Sequence, residues 1–207
     1  MQSKSRVLSA ALAIALAGGL TAAAVSQAAT STPAVVYTAD GKLVAPTDYR
    51  TWVYLSTGVD MAYLEGPPPS QHVFDSVFVN PAAYAAFQKT GTWPDKTVMV
   101  LEVRRGASKG SINKKGVFQT DKLGLEVHVK DTARFKKDGW AFFGGFQGEG
   151  PGNPIAETSA CNTCHEQHGA VDTTFVQFYP TLLPTAQAKK TMAAAYLAEE
   201  EAKAQGK

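Results

Sequence analysis

Cys161, Cys164 and His165 lie within five consecutive residues, CNTCH. Two thiols two residues apart, followed at once by an imidazole, form the attachment signature of haem c. Each thiol adds to a vinyl group, and the adjacent histidine is then held at the iron as proximal ligand. The C-x-x-C pair by itself admits other chemistry: a thioredoxin-like redox couple, half of a zinc site, or a two-residue disulfide loop. A redox couple belongs at a helix start inside a βαβ pattern, whereas this one follows a Gly/Pro-rich loop near the C-terminus. A zinc site would need further ligands, and only His168 is near. These are the only two cysteines in the chain, so attachment would leave no thiol for a structural disulfide.

For the sixth position of a haem iron the chain offers His72, His128, His168, Met61 and Met99, since histidine and methionine are the usual axial ligands of electron carriers. His168, three residues from His165, falls on the same turn and the same side of the haem, which suits a solvent-facing or propionate-contacting role. Met99 lies in an apolar run and reads as core. Two carboxylates are candidate catalytic residues: Glu102 and Glu126, each set among apolar residues, where a carboxylate costs energy unless paired or used. Either could take a proton from a bound nitrogenous substrate. The plainer reading of Glu102 is an ion pair with Arg104 or Arg105, and that of Glu126 a solvent-facing place on an alternating strand. Of Phe74, Phe78, Trp140, Phe142, Phe143, Phe175 and Phe178, most read as core and one or two as haem-lining.

The elements that must position these groups are mixed. Thr47-Asp48 offers an N-cap for a short first helix carrying Tyr49, Trp52, Val53 and Leu55. Gly66 to Pro69 breaks the chain, and residues 73–79, rich in aromatic and β-branched types, predict a strand. Asn80-Pro81 starts a helix that Gly91 stops. Residues 97–103 are apolar on both faces except at Glu102, the mark of a central strand. A Gly/Lys/Ser-rich connection over 104–121 leads to residues 123–129, whose alternation puts Leu123, Leu125, Val127 and Val129 in the core and Glu126 and His128 opposite. A short helix over 132–137, a strand over 140–146, a flexible loop over 148–154 and a terminal helix over 186–203 complete the pattern.

The first 28 residues show a basic start (Lys4, Arg6), an uncharged apolar run and a small-residue end, Ser26-Gln27-Ala28: a secretory signal peptide rather than a membrane anchor. The whole chain has 20 Lys and Arg against 18 Asp and Glu, so loss of Lys4 and Arg6 brings the charges into balance. There is no basic patch to favour nucleic acid, and no later apolar run long enough to span a membrane. Export together with haem attachment places the chain in a bacterial periplasm. The expected organisation is a signal peptide over 1–28, a flexible lead-in over 29–46, a haem domain over 47–184 and a C-terminal helix or tail over 185–207.

The order of Tyr49-x-x-Trp52, VFVNPAAY (Val77 to Tyr84), TWPDKTVMVLE (Thr92 to Glu102), VKD-x-x-RF-x-x-x-GWAFF (Val129 to Phe143), and CNTCH with TFVQFYP downstream resembles the cytochrome P-460 family over residues 47–183. That resemblance implies an α+β fold, mainly an antiparallel β-sheet with flanking short helices, and a single covalently bound haem c, often in a homodimer. It assigns Cys161 and Cys164 to the thioethers and His165 to the iron. Its members include hydroxylamine oxidisers and nitric-oxide binders. The oxidisers carry a lysine cross-linked to the haem, expected from the strand over 97–103. Here that strand has no lysine, Leu101 or a neighbour stands in its place, and Lys96 only begins it. The chain therefore reads as a periplasmic haem c protein with an open distal site for nitric oxide or hydroxylamine. The alternatives are a six-coordinate electron-transfer cytochrome working with a redox partner protein, and a hydroxylamine-oxidising enzyme.

Overall fold

The computed structural model describes residues 35–63, 66–67 and 69–206. The expected signal peptide lies outside them, as does Pro68 of the 66–69 break. Six strands pair antiparallel in chain order: β1 (Val53–Val59), β2 (Val73–Val79), β3 (Val98–Ala107), β4 (Phe118–Lys130), β5 (Trp140–Gly144) and β6 (Asn153–Pro154). Among the described residues there are also four α-helices: α1 (Pro81–Thr90), α2 (Ala160–His168), α3 (Leu183–Lys189) and α4 (Ala194–Ala204). This is the expected α+β architecture.

β3 lies inside the sheet, and both faces of its first half are covered, which is why residues 98–103 are apolar except at Glu102. Met99 joins Leu55, Val79, Phe87, Trp93 and Val176 in the core beneath α1 and α3. Val98 and Val100 point the other way, into a second core with Leu43, Tyr49, Trp52, Val127 and Phe143. α1 begins and ends where expected, with Gly91 left-handed at φ 77°. Asn80 does not cap it with its side chain. Its Oδ1 instead accepts the Val98 amide at 2.8 Å, tying the helix start to β3.

Several expected elements differ. Tyr49, Trp52 and Leu55 are buried with a helix-like spacing, but a 3-10 turn over Tyr49–Thr51 buries the first two. The chain then becomes β1, with an irregularity between Tyr54 and Ser56 that turns Leu55 inward. The three-residue period of that turn mimics a helix on paper. From Val35 onward the expected flexible lead-in is packed: Leu43 bridges both Tyr37 and Gly152 and is buried. The connection after β3 is shorter than expected, since β3 runs to Ala107 and β4 starts at Phe118. Leu123, expected in the core, is exposed because it is the extra residue of a bulge, between Gly124 opposite Val103 and Lys122 opposite Arg104, which breaks the alternation. In place of the helix expected over 132–137 there is a turn over residues 132–134; Asp95 and Asp131 side chains accept the Thr132 and Arg134 amides as they would at a helix start, but no helix follows. The strand expected over 140–146 ends at Gly144, and Asn153–Pro154 of the expected loop adds β6. The terminal helix is two helices. Left-handed Lys190 ends α3, and the Thr191 hydroxyl then donates to Gly91 O at 2.7 Å.

Candidate functional site

α2 carries CNTCH. Ser159 caps it, accepting the Asn162 amide, and one helical turn places Cys161 and Cys164 on the same face. Cys161 is exposed and Cys164 half-buried, and the two are not joined. His165 turns inward. Its Nδ1 lies 2.7 Å from Thr173 O, and since a carbonyl only accepts, Nδ1 carries the proton and Nε2 is left as the free ligating nitrogen. Burial lowers the His165 pKa, the backbone hydrogen bond opposing this more weakly, so the neutral ring is favoured.

The loop that supplies this carbonyl is built with care for distance. Gly169 ends α2, and a Cβ there would meet His165 O at 2.6 Å, Thr174 N at 2.9 Å and Thr173 C at 3.0 Å, all backbone atoms. Only glycine lets helix and loop approach so closely. Gln177 accepts the Ala170 amide through Oε1 and donates through Nε2 to His168 O. Trp93 Nε1 donates to Thr174 Oγ1 at 2.8 Å, and Lys130 Nζ holds Asp172 at 3.0 Å, so the sheet side of the fold fixes the loop.

His165 borders a cavity of about 330 Å³. One wall is a face of the sheet, with Asp75 and Val77 of β2, Leu101 and Val103 of β3, and Glu126 of β4. His128 of β4 and Phe142 of β5 extend this face, and the other wall is His165 with Phe175 and Phe178. A second cavity of about 420 Å³, lined by Cys164, His168, Glu199 and Lys203, shares Tyr63, Phe175 and Phe178 with the first. A flat apolar group tethered at Cys161 and Cys164 and ligated by His165 fits this arrangement. The imidazole has its second nitrogen satisfied, the walls near it are aromatic and aliphatic, and both thiols are unbonded. No cluster of three or more His, Cys, Asp or Glu side chains suited to a metal ion is found among the described residues. The wholly antiparallel sheet likewise lacks the βαβ unit of a thioredoxin-like site.

The candidate sixth ligands separate. His72 is away from the cavity, donating from Nδ1 to Asp60 at 2.6 Å, and His168 pairs with Glu199 at 2.7 Å in the second cavity. His128, Met61 and Met99 line the first cavity. His128 is buried between Trp140 (ring centroids 4.3 Å) and Phe142 (3.7 Å), with Nε2 3.4 Å from the Thr173 hydroxyl. Burial, then the neighbouring His165, keeps its pKa well below the ordinary histidine value. It thus supports the residue that orients His165. Met61 packs against Gly58, and Met99 belongs to the core.

The two candidate carboxylates lie on opposite faces of the sheet. Glu102 is turned from the cavity and is 4 % exposed, bound by Tyr49, Arg50 and Arg104, the last at 2.5 Å. Burial works to raise its pKa, but hydrogen bonds from Arg104 and Tyr49 and the two guanidinium charges outweigh this and hold it low. A catalytic role for Glu102 is thereby corrected to the ion pair, with Arg104 and Arg50 as partners. Arg105 binds Gln71 instead. Glu126 borders the cavity but is exposed; partial desolvation, then Asp75, raises its pKa. The sequence reading passed over Asp75. The sign was available, since Asp75 is the only charged residue in the run VFDSVFV. Of the aromatic residues, Phe142, Phe175 and Phe178 line the cavity, while Phe78 and Phe143 pack on the far face.

The fold and the site together describe a haem-binding cytochrome. The chain belongs to the cytochrome P460 family, whose pattern it matches over residues 46–176. No curated protein matches it. Among the described residues, the lysine expected in the oxidising members has no counterpart on the cavity wall: the β3 residues facing it are Met99, Leu101 and Val103. Lys96 is held by Asp131 at 2.6 Å, and Lys130 by Trp93 O and Asp172. No described helix is long and apolar enough to cross a membrane.

Proposed function

We propose that this chain is a periplasmic haem c protein with one haem, thioether-linked through Cys161 and Cys164, and with an open site for a small nitrogen ligand such as nitric oxide or hydroxylamine. The observation that carries the reading is the cavity between the His165 ring and the sheet face, where Val77, Leu101 and Val103 have no ligating atom and lie beside the carboxylates of Asp75 and Glu126. When bound, the haem supplies a ligand-binding iron and one-electron chemistry. Thr173 O holds the Nδ1 proton and aims the ring; Phe142 and Phe175 pack on it and keep water from it. His128 is engaged on the Thr173 side, Met99 in the core and Met61 against Gly58, which disfavours the six-coordinate electron carrier.

The hydroxylamine-oxidising reading draws support from Glu126 alone. A carboxyl whose pKa is raised at the cavity wall is suited to take a proton from an N–H or O–H donor. The lysine-free wall counts against it.

The test has two parts. Acid-acetone extraction followed by a pyridine haemochrome spectrum should leave the haem with the polypeptide, and the ferrous protein should change its absorption on addition of carbon monoxide or nitric oxide. Freely extracted haem would refute the thioether assignment. A low-spin ferrous form indifferent to carbon monoxide would refute the open site.

A further inference from the structure

The cavity wall has a charge pattern unlike the rest of the protein. Asp75 stands opposite Val103, and Glu126 opposite Leu101, so the two acids flank β3 on the face that borders the cavity with His165. Elsewhere, carboxylates drawn into the fold have cations or donors beside them. Glu102 has Arg50 and Arg104, Asp131 has Lys96, and Asp60 has His72. Among the described residues, neither Asp75 nor Glu126 has a hydrogen-bond or ion-pair partner, and no lysine or arginine lines the cavity. The two histidines on the wall are kept neutral by burial.

The acids feel one another and the space between the walls. Burial, then Asp60, raises the pKa of Asp75, and burial, then Asp75, raises that of Glu126. Tyr63, which borders both cavities, has its pKa raised by burial and then by Asp75, Cys164 and Glu126. Asp75 is half-buried, and an unpaired carboxylate beside apolar surface costs folding energy; Glu126 is exposed, so the cost falls mainly on Asp75. What they do for a ligand follows from Coulomb's law: an anion entering the cavity is repelled by both, while a neutral or cationic N–H or O–H donor is accepted.

We propose that Asp75 and Glu126 are specificity determinants of the His165 cavity, rejecting anions such as azide and nitrite and admitting small neutral or cationic nitrogen bases that donate a hydrogen bond. This rests on the open-site reading above, and it extends that reading from ligand size to ligand charge. Asp75, on β2, is the distinguishing member, because it acts on the cavity directly and also raises the Glu126 pKa.

The haem-loaded full chain tests it. Azide is titrated into the ferric protein and carbon monoxide into the ferrous protein, each followed by absorption, for the parent, Asp75→Asn, Glu126→Gln and the double variant. Glu149→Gln, an exposed change remote in sequence from the wall strands, controls for net charge. Each wall substitution should tighten azide about tenfold, the effect of removing one unit charge about 10 Å away at an effective dielectric constant of about 24. Carbon monoxide affinity should stay within about twofold, because a neutral ligand does not sense the charge. In the unmodified protein, raising salt should also tighten azide severalfold by screening the repulsion, an arm that needs no variant to fold. Azide affinity unmoved by either substitution and by salt, with carbon monoxide bound normally, overturns the inference. Failure of every form, including the parent, to bind carbon monoxide overturns the open-site reading instead.

Discussion

Gly169→Ala tests whether the loop that orients His165 is set by backbone contact. The φ of −66° at Gly169 is open to any residue, so the substitution introduces no conformational strain of its own. The steric cost is another matter. The new Cβ would lie 2.6 Å from His165 O, 2.9 Å from Thr174 N and 3.0 Å from Thr173 C, and none of these atoms belongs to a side chain that can rotate away. Overpacking of this kind costs about 1–3 kcal/mol. Separation of α2 from the loop would also lose the 2.7 Å His165–Thr173 hydrogen bond, worth about 0.5–1.5 kcal/mol. The sum, about 2–4 kcal/mol, corresponds to a fall in melting temperature of about 5–12 °C for a chain of this size. Thermal unfolding followed by far-UV circular dichroism measures it. Gly124→Ala serves as the comparison, since a Cβ there meets nothing within 4 Å, and it should be neutral or slightly stabilising. A Gly169→Ala melt within about 1 °C of the parent would refute the claim that backbone contact sets the loop.

Glu102→Gln should destabilise by about 2 kcal/mol, less than a fully buried pair because Arg50 is half exposed. Since the folded-state pKa is depressed, the advantage of the parent is fully present above the ordinary glutamate range and disappears as pH falls through the lowered folded value; denaturant titrations that show an advantage growing toward acid would contradict this. Gly58→Ala would drive a Cβ to 2.8 Å from Met61 Cγ, a flexible neighbour, so stability should barely change while Met61 leaves the cavity wall. Stopped-flow carbon monoxide association should then be severalfold faster, and an unchanged rate would show that Met61 does not obstruct entry. Intact-mass analysis of the exported protein should equal residues 29–207 plus one haem with no hydrogen loss, and a tryptic fragment joining CNTCH to Lys96 or Lys130 would overturn the lysine-free wall.

Local sequence carried the pieces whose physics is local. CNTCH holds its ligands within one helical turn, Asn80-Pro81 and Gly91 bracket α1, and the run over 97–103, apolar except at Glu102, announced a strand covered on both faces. The alternation in β4 correctly set Glu126 and His128 on the opposite face from Leu125, Val127 and Val129. Alternation divides residues between two faces, but it does not say what covers each face. The face read as open to solvent turned out to be the cavity wall, and Glu102, one strand away, pointed to the other side. Helix-like spacing failed at Tyr49, Trp52 and Leu55 because a 3-10 turn followed by a bulged strand can bury the same positions. Only the assembled chain brings Thr173 O to His165, Trp93 across 81 residues to Thr174, and Asp75 alongside Glu126. Those contacts depend on strand register and on the close approach at Gly169, which are set by packing across the whole sheet, so no window of sequence contains them.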